Sequence, residues 1–188
     1  MKFKFLLILF FSYSLHPSHA SEDCMSNLSI FAEYYKVKNY DSPYEPWMKV
    51  RQECPKINAA IYSYGKRMLE HFIKNSDGDQ KLAYQNDLIK LYDEWLANFP
   101  IVKGRNITGE IISNKAQALL DNKLASKIEI FNTFDMAYSS DRASFDDPKP
   151  LYSYFKTYFE LYKENADEVT LSKVFDKYED ISERFEEV

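Results

Sequence analysis

The chain has 188 residues, with 24 Lys and Arg against 29 Asp and Glu, a formal net charge of -5 and 45% hydrophobic residues. That length suits one domain or one short array, and the apolar bulk is too great for a disordered polyelectrolyte. The negative balance repels polyanions, so nucleic acid is excluded as a natural partner.

The first element is residues 1–20. Lys2 and Lys4 precede an apolar run from Phe5 to about Leu15, and Ser18-His19-Ala20 follows. These are the three parts of a secretory signal. The run is short of the roughly 20 residues that a membrane-spanning helix needs. The expectation is a signal peptide over 1–20 and a mature domain over 21–188 with no transmembrane segment. Loss of Lys2 and Lys4 takes the net charge from -5 to about -7. The other readings are an uncleaved anchor and a lipoprotein at Cys24, although Ser21-Glu22-Asp23 lacks the apolar and small residues of a lipid-attachment site. Export implies a periplasmic or outer-membrane-associated protein, with secretion as the alternative.

The mature part reads as helix after helix, with little strand-like alternation. A first helix is expected over Leu28 to Lys38 and an antiparallel second over Ser42 to Glu53, which brings the start of one beside the end of the other. Cys24 and Cys54 would then be neighbours in an oxidising compartment, and a disulfide is predicted, with two free thiols as the alternative. Closing that loop contributes about 3 to 4 kcal/mol in the chain-entropy account.

Ile57, Ile61, Tyr64, Met68 and Phe72 form the stripe of a third helix after Pro55. Asn75-Ser76-Asp77-Gly78-Asp79 ends it and offers caps to a fourth, whose expected buried face is Leu82, Ile89, Tyr92, Leu96 and Phe99, stopping at Pro100. A fifth is expected to start at Thr108 as cap and to bury Ile112, Ala116 and Leu119. Ser126 and Glu129 have capping-box spacing ahead of Phe131, Phe134 and Tyr138. Asp147 then Pro148 reads as cap and first helical residue ahead of Leu151, Phe155, Tyr158, Phe159 and Tyr162. The eighth helix begins near Thr170 and carries Leu171, Val174, Phe175, Tyr178, Ile181 and Phe185. Its stripe is still in register at Glu186-Glu187-Val188, with no cap, Gly or Pro, and predicts a longer protein of which this chain is the N-terminal part.

Eight helices make four consecutive pairs. The first pair, LSIFAEYYKVKNYDSPYEPWMKVRQECP, resembles a tetratricopeptide repeat. With Pro55 as the closing proline, Val50 and Trp47 fall on the second helix's small and aromatic positions, Tyr40 on the turn tyrosine, and Tyr34 and Ile30 on the first helix's aromatic and leucine positions. The sequence departs from the pattern at Pro43 and Phe31, and Pro55, Pro100 and Pro148 are spaced more widely than the usual repeat. The resemblance implies an all-α fold of stacked antiparallel helix pairs, a TPR-like right-handed α-solenoid of about eight helices, in an exported helical-repeat protein of a bacterial envelope. In that family the first helix of each pair lines the inner groove. It would place Leu28, Ala32, Tyr35 and Lys36 there, with Tyr35 and Lys36 as the contacts.

Catalytic chemistry finds little support. His16 and His19 leave with the signal, so His71 is the remaining imidazole, and neither G-x-S-x-G nor H-E-x-x-H occurs. Asp77-Gly78-Asp79 lacks the ligand spacing of a calcium loop, and the carboxylate pairs Asp93-Glu94 and Asp146-Asp147 read as solvated faces. No cofactor or metal is expected. The expectation is a non-enzymatic adaptor that binds a protein or peptide, with a structural subunit of an envelope complex as the alternative and a hydrolase of envelope polymers behind it.

Overall fold

A computed structural model describes residues 19–164 and 170–188. The fold is all-α. Its helices are α1 (His19–Lys36), α2 (Tyr44–Glu53), α3 (Ala60–Asn75), α4 (Gly78–Asn98), α5 (Thr108–Asn122), α6 (Lys127–Ser140), α7 (Pro148–Glu164) and α8 (Leu171–Glu187). Each packs on the next, and α1 also meets α3 as α5 meets α7. The expected signal peptide lies almost wholly outside the described residues. Among those described, no helix is long and apolar enough to cross a membrane.

α1 begins nine residues before the expected Leu28 start, because Cys24, Leu28 and Phe31 at helical spacing are all buried and extend its inner stripe backwards. Lys38 in the left-handed region closes it, with the Lys38 and Asn39 amides donating to Tyr35 O and Tyr34 O. The disulfide joins Cys24 to Cys54 as expected, across a Cα separation of 6.3 Å, and ties the start of α1 to the end of α2. Trp47 and Val50 of α2 are fully buried, whereas Ile30 and Tyr34 are about 40% exposed on the outer face of α1. The inward residues of α1 thus lie one position away from those that the repeat register assigned.

α4 buries Leu88, Leu91, Tyr92 and Trp95, and the expected Leu82 is 47% exposed. Of the other expected residues Tyr92 is buried and Ile89, Leu96 and Phe99 pack part-buried on the core, beside the deeper Leu88, Leu91 and Trp95. Asp77 stands at the start of α4 but its side chain makes no cap bond. Between α4 and α5 lies an unforeseen hairpin, β1 (Ile101–Val102) and β2 (Arg105–Asn106), turned by Lys103 and Gly104 at φ 52° and 78°.

Thr108 is the first helical residue of α5 rather than its cap. Asn106 Oδ1 accepts from the Thr108 amide and Ser144 Oγ, 34 residues away, accepts from the Glu110 amide. The caps expected further on are present: Ser126 and Glu129 form the reciprocal box at α6, Asp147 Oδ1 accepts from the Lys149 amide at α7, and Thr170 Oγ1 accepts from the Lys173 amide at α8. On α8 only Val174 and Ile181 of the expected stripe are buried. Leu171, Phe175, Tyr178 and Phe185 are exposed.

The interior divides into two hydrophobic clusters. One joins α1 to α4 with Ile107, Ile111 and Ala118, and the other joins α5 to α8 through Ile112, Ala116, Phe134, Phe145 and Tyr154. A buried arginine reinforces each. Arg51, buried above the Trp47 ring, reaches Asp87 at 2.9 Å and Glu94 at 2.6 Å, and Arg184 donates to the carbonyls of Ala143 and Phe145.

Candidate functional site

Among the helices that open each pair, α1 meets α3, α5 meets α7, and Lys66 of α3 bonds to Asn114 of α5. Where α1 meets α3, the rings of Tyr35 and Tyr64 stack 3.9 Å apart at 3°, and Arg67 Nη1 donates to the Tyr35 hydroxyl at 2.9 Å. Tyr40 covers the ring of His71 at 4.9 Å, and Asn75 bonds back to the same histidine. Lys36 is exposed and paired with Glu33 at 2.7 Å, an interaction that raises the lysine pKa through its hydrogen bond. Of the residues that the sequence placed in a groove, Leu28 belongs to the core at 8% exposure, Ala32 and Tyr35 are half-buried, and Lys36 is exposed.

Between α3 and α5 opens a cleft of about 380 Å³. Lys66, Glu70 and Ile73 of α3 form one wall, with Asn114, Gln117 and Asp121 of α5 opposite, Leu88 and Tyr92 of α4 beneath, and Asp147, Lys149 and Pro150 closing one end. Lys66 Nζ donates across it to Asn114 Oδ1 at 3.1 Å, while Asp121 accepts from Gln117 Nε2 at 2.8 Å and from Lys149 Nζ at 2.6 Å. Gln117 Oε1 is buried and has no hydrogen-bond partner among the described residues. A buried amide oxygen without a donor costs on the order of 1–3 kcal/mol. Burial drives the Tyr92 phenol far above its ordinary pKa, so the floor is neutral.

Both charge signs and several amides line this volume together. It offers donors and acceptors in the mixture that a peptide backbone or an amide side chain presents, instead of the one-signed field that captures an ion. Its lining includes no Ser, Thr, Cys or His. Glu110, whose carboxyl is raised by burial, does not line the cleft. No three His, Cys, Asp or Glu side chains converge as metal ligands among the described residues.

The cleft residues were missed from sequence although a signal existed. Asn114, Gln117 and Asp121 recur at helical spacing beside Ala118 and form a polar stripe along a helix whose other face is apolar. Polar stripes ordinarily face open water, and only the separation of α3 from α5 makes this one a wall. Comparison of the chain with protein-family models, curated proteins and solved structures finds no match.

Proposed function

We propose that this chain is an exported, non-catalytic binding scaffold, of tetratricopeptide-like architecture and envelope location, that holds an extended segment of a partner protein along the helices that open each pair, α1, α3, α5 and α7. The observation that carries the reading is the α3–α5 cleft, where Lys66, Glu70, Asn114 and Asp121 set both charge signs and an amide around one volume. The backbone of a bound segment finds donors and acceptors along those walls, and the Tyr35–Tyr64 stack beside Arg67 offers an aromatic platform of the kind that anchors binding surfaces. The leading residues 1–20 support export, and the disulfide between Cys24 and Cys54 suits an oxidising compartment.

The test is photo-crosslinking in intact cells, with a photoreactive amino acid placed at Asn114, at Arg67, or at the exposed Lys90 of α4 as control. The expected result is one shared adduct from the first two positions and none from the third. Absence of any adduct, or the same adducts from all three, would overturn the proposal, as would turnover of an envelope polymer by the purified chain.

A further inference from the structure

Exposed apolar side chains gather on the last helix pair. Phe155 and Phe159 of α7 and Leu171, Val174, Phe175 and Tyr178 of α8 line a groove of about 300 Å³ with no polar residue in its lining. Phe175 is 59% exposed and Tyr178 54%, and the stripe runs on along α8 to Phe185. Aromatic side chains carry about 150–250 Å² each, so this face leaves on the order of 500 Å² of apolar surface. That is the upper end for a monomer and close to the apolar share of the roughly 800 Å² that each partner gives a stable interface.

Charge flanks the groove asymmetrically. Beyond it on α7 stand the exposed Lys156 and Lys163, and beyond it on α8 stand the exposed Glu179 and Glu186. None of the four has an ion pair among the described residues, although Lys163 lies over the Phe159 ring. The Phe155 and Tyr178 rings are 5.4 Å apart, which sets Lys156 and Glu179 within about 3 Å of the same level along the antiparallel pair.

We propose that a second copy of this chain docks on the α7–α8 face, about a twofold axis parallel to the two helices. That axis lays α7 of one copy over α8 of the other. The two apolar grooves close on each other, and Lys156 of each copy stands beside Glu179 of its mate. A twofold axis perpendicular to the helices would instead set lysine against lysine and glutamate against glutamate, so the charge pattern selects the first arrangement.

Sedimentation and light scattering of the purified chain across micromolar concentrations test this. The expected species is a dimer. Phe175→Glu should abolish it with helical circular dichroism unchanged. Lys156→Glu and Glu179→Lys should each weaken dimerisation roughly tenfold, and the double variant should recover it. Tyr34→Glu, on the exposed face of α1, should leave it intact. A monomer at every concentration, dissociation by Tyr34→Glu, growth beyond two copies, or failure of the double swap to restore association would overturn the proposal.

Discussion

Trp47 lies wholly buried under α3, with its indole N–H donating to Ile61 O at 2.8 Å, and the ring leaves room at residue 65 only for hydrogen. A Cβ on Gly65 would sit 2.6 Å from the Trp47 ring. In an open helix Gly→Ala gains about 1 kcal/mol of propensity, but here overpacking costs about 1–3 kcal/mol, and the clash wins. Gly65→Ala is therefore expected to lower the denaturant midpoint, and an unchanged or higher midpoint would show that α2 and α3 can part freely. The sequence carried half of this contact. Trp47 and Val50 were recognisable as interior residues of α2, while Gly65 had no local role to betray it, since its constraint comes from a ring 18 positions away. Arg51 is a similar case, a buried cation whose carboxylates Asp87 and Glu94 sit on another helix pair.

Helix starts show which elements can be read from local residues. α6, α7 and α8 begin where Ser126, Asp147 and Thr170 predicted, because each cap spends its side chain on an amide two or three positions away. α5 draws on nearby Asn106 for its first amide but on Ser144 for the Glu110 amide, and no window around Thr108 contains that second partner. The stripe on α4 was legible in part: Tyr92 is buried and Ile89, Leu96 and Phe99 pack on the core, but Leu88, Leu91 and Trp95 share the helical spacing, and only the packed neighbours set how deep each lies. Ser126→Ala removes the side-chain half of the box at α6, leaving the residue 126 amide to donate to Glu129, and should cost about 1 kcal/mol. Thermal unfolding of that variant beside Thr108→Ala provides the check. The threonine, which caps nothing, should give the smaller loss, and equal losses would contradict the assignment.

For the molecule as a whole, buried phenols set the alkaline limit. Burial pushes Tyr62 and Tyr138 up to about 12, and Tyr92 and Tyr154 higher still. Since an unfolded tyrosine titrates near about 10, folding favours the protonated form. The stability this contributes is fully present below pH ~10 and is lost as pH climbs from there through ~12. Tyrosinate absorbance should therefore rise together with loss of helical circular dichroism, and titration of all phenols near ~10 with the helices intact would refute it. At this scale the all-α architecture was legible from periodicity, but the cleft was not, because a gap between helices leaves no mark on the sequence of either. The two hydrophobic clusters meet along α5, with Ile111 and Ala118 turned to one and Ile112 and Ala116 to the other. The cleft has Leu88 and Tyr92 of the first cluster for its floor and Pro150, next to Leu151 of the second, at its end. α5 therefore carries both halves, one on each of its faces. A segment seated in the cleft would latch them from the open side, so that occupancy would be felt as stiffness in helices it never touches.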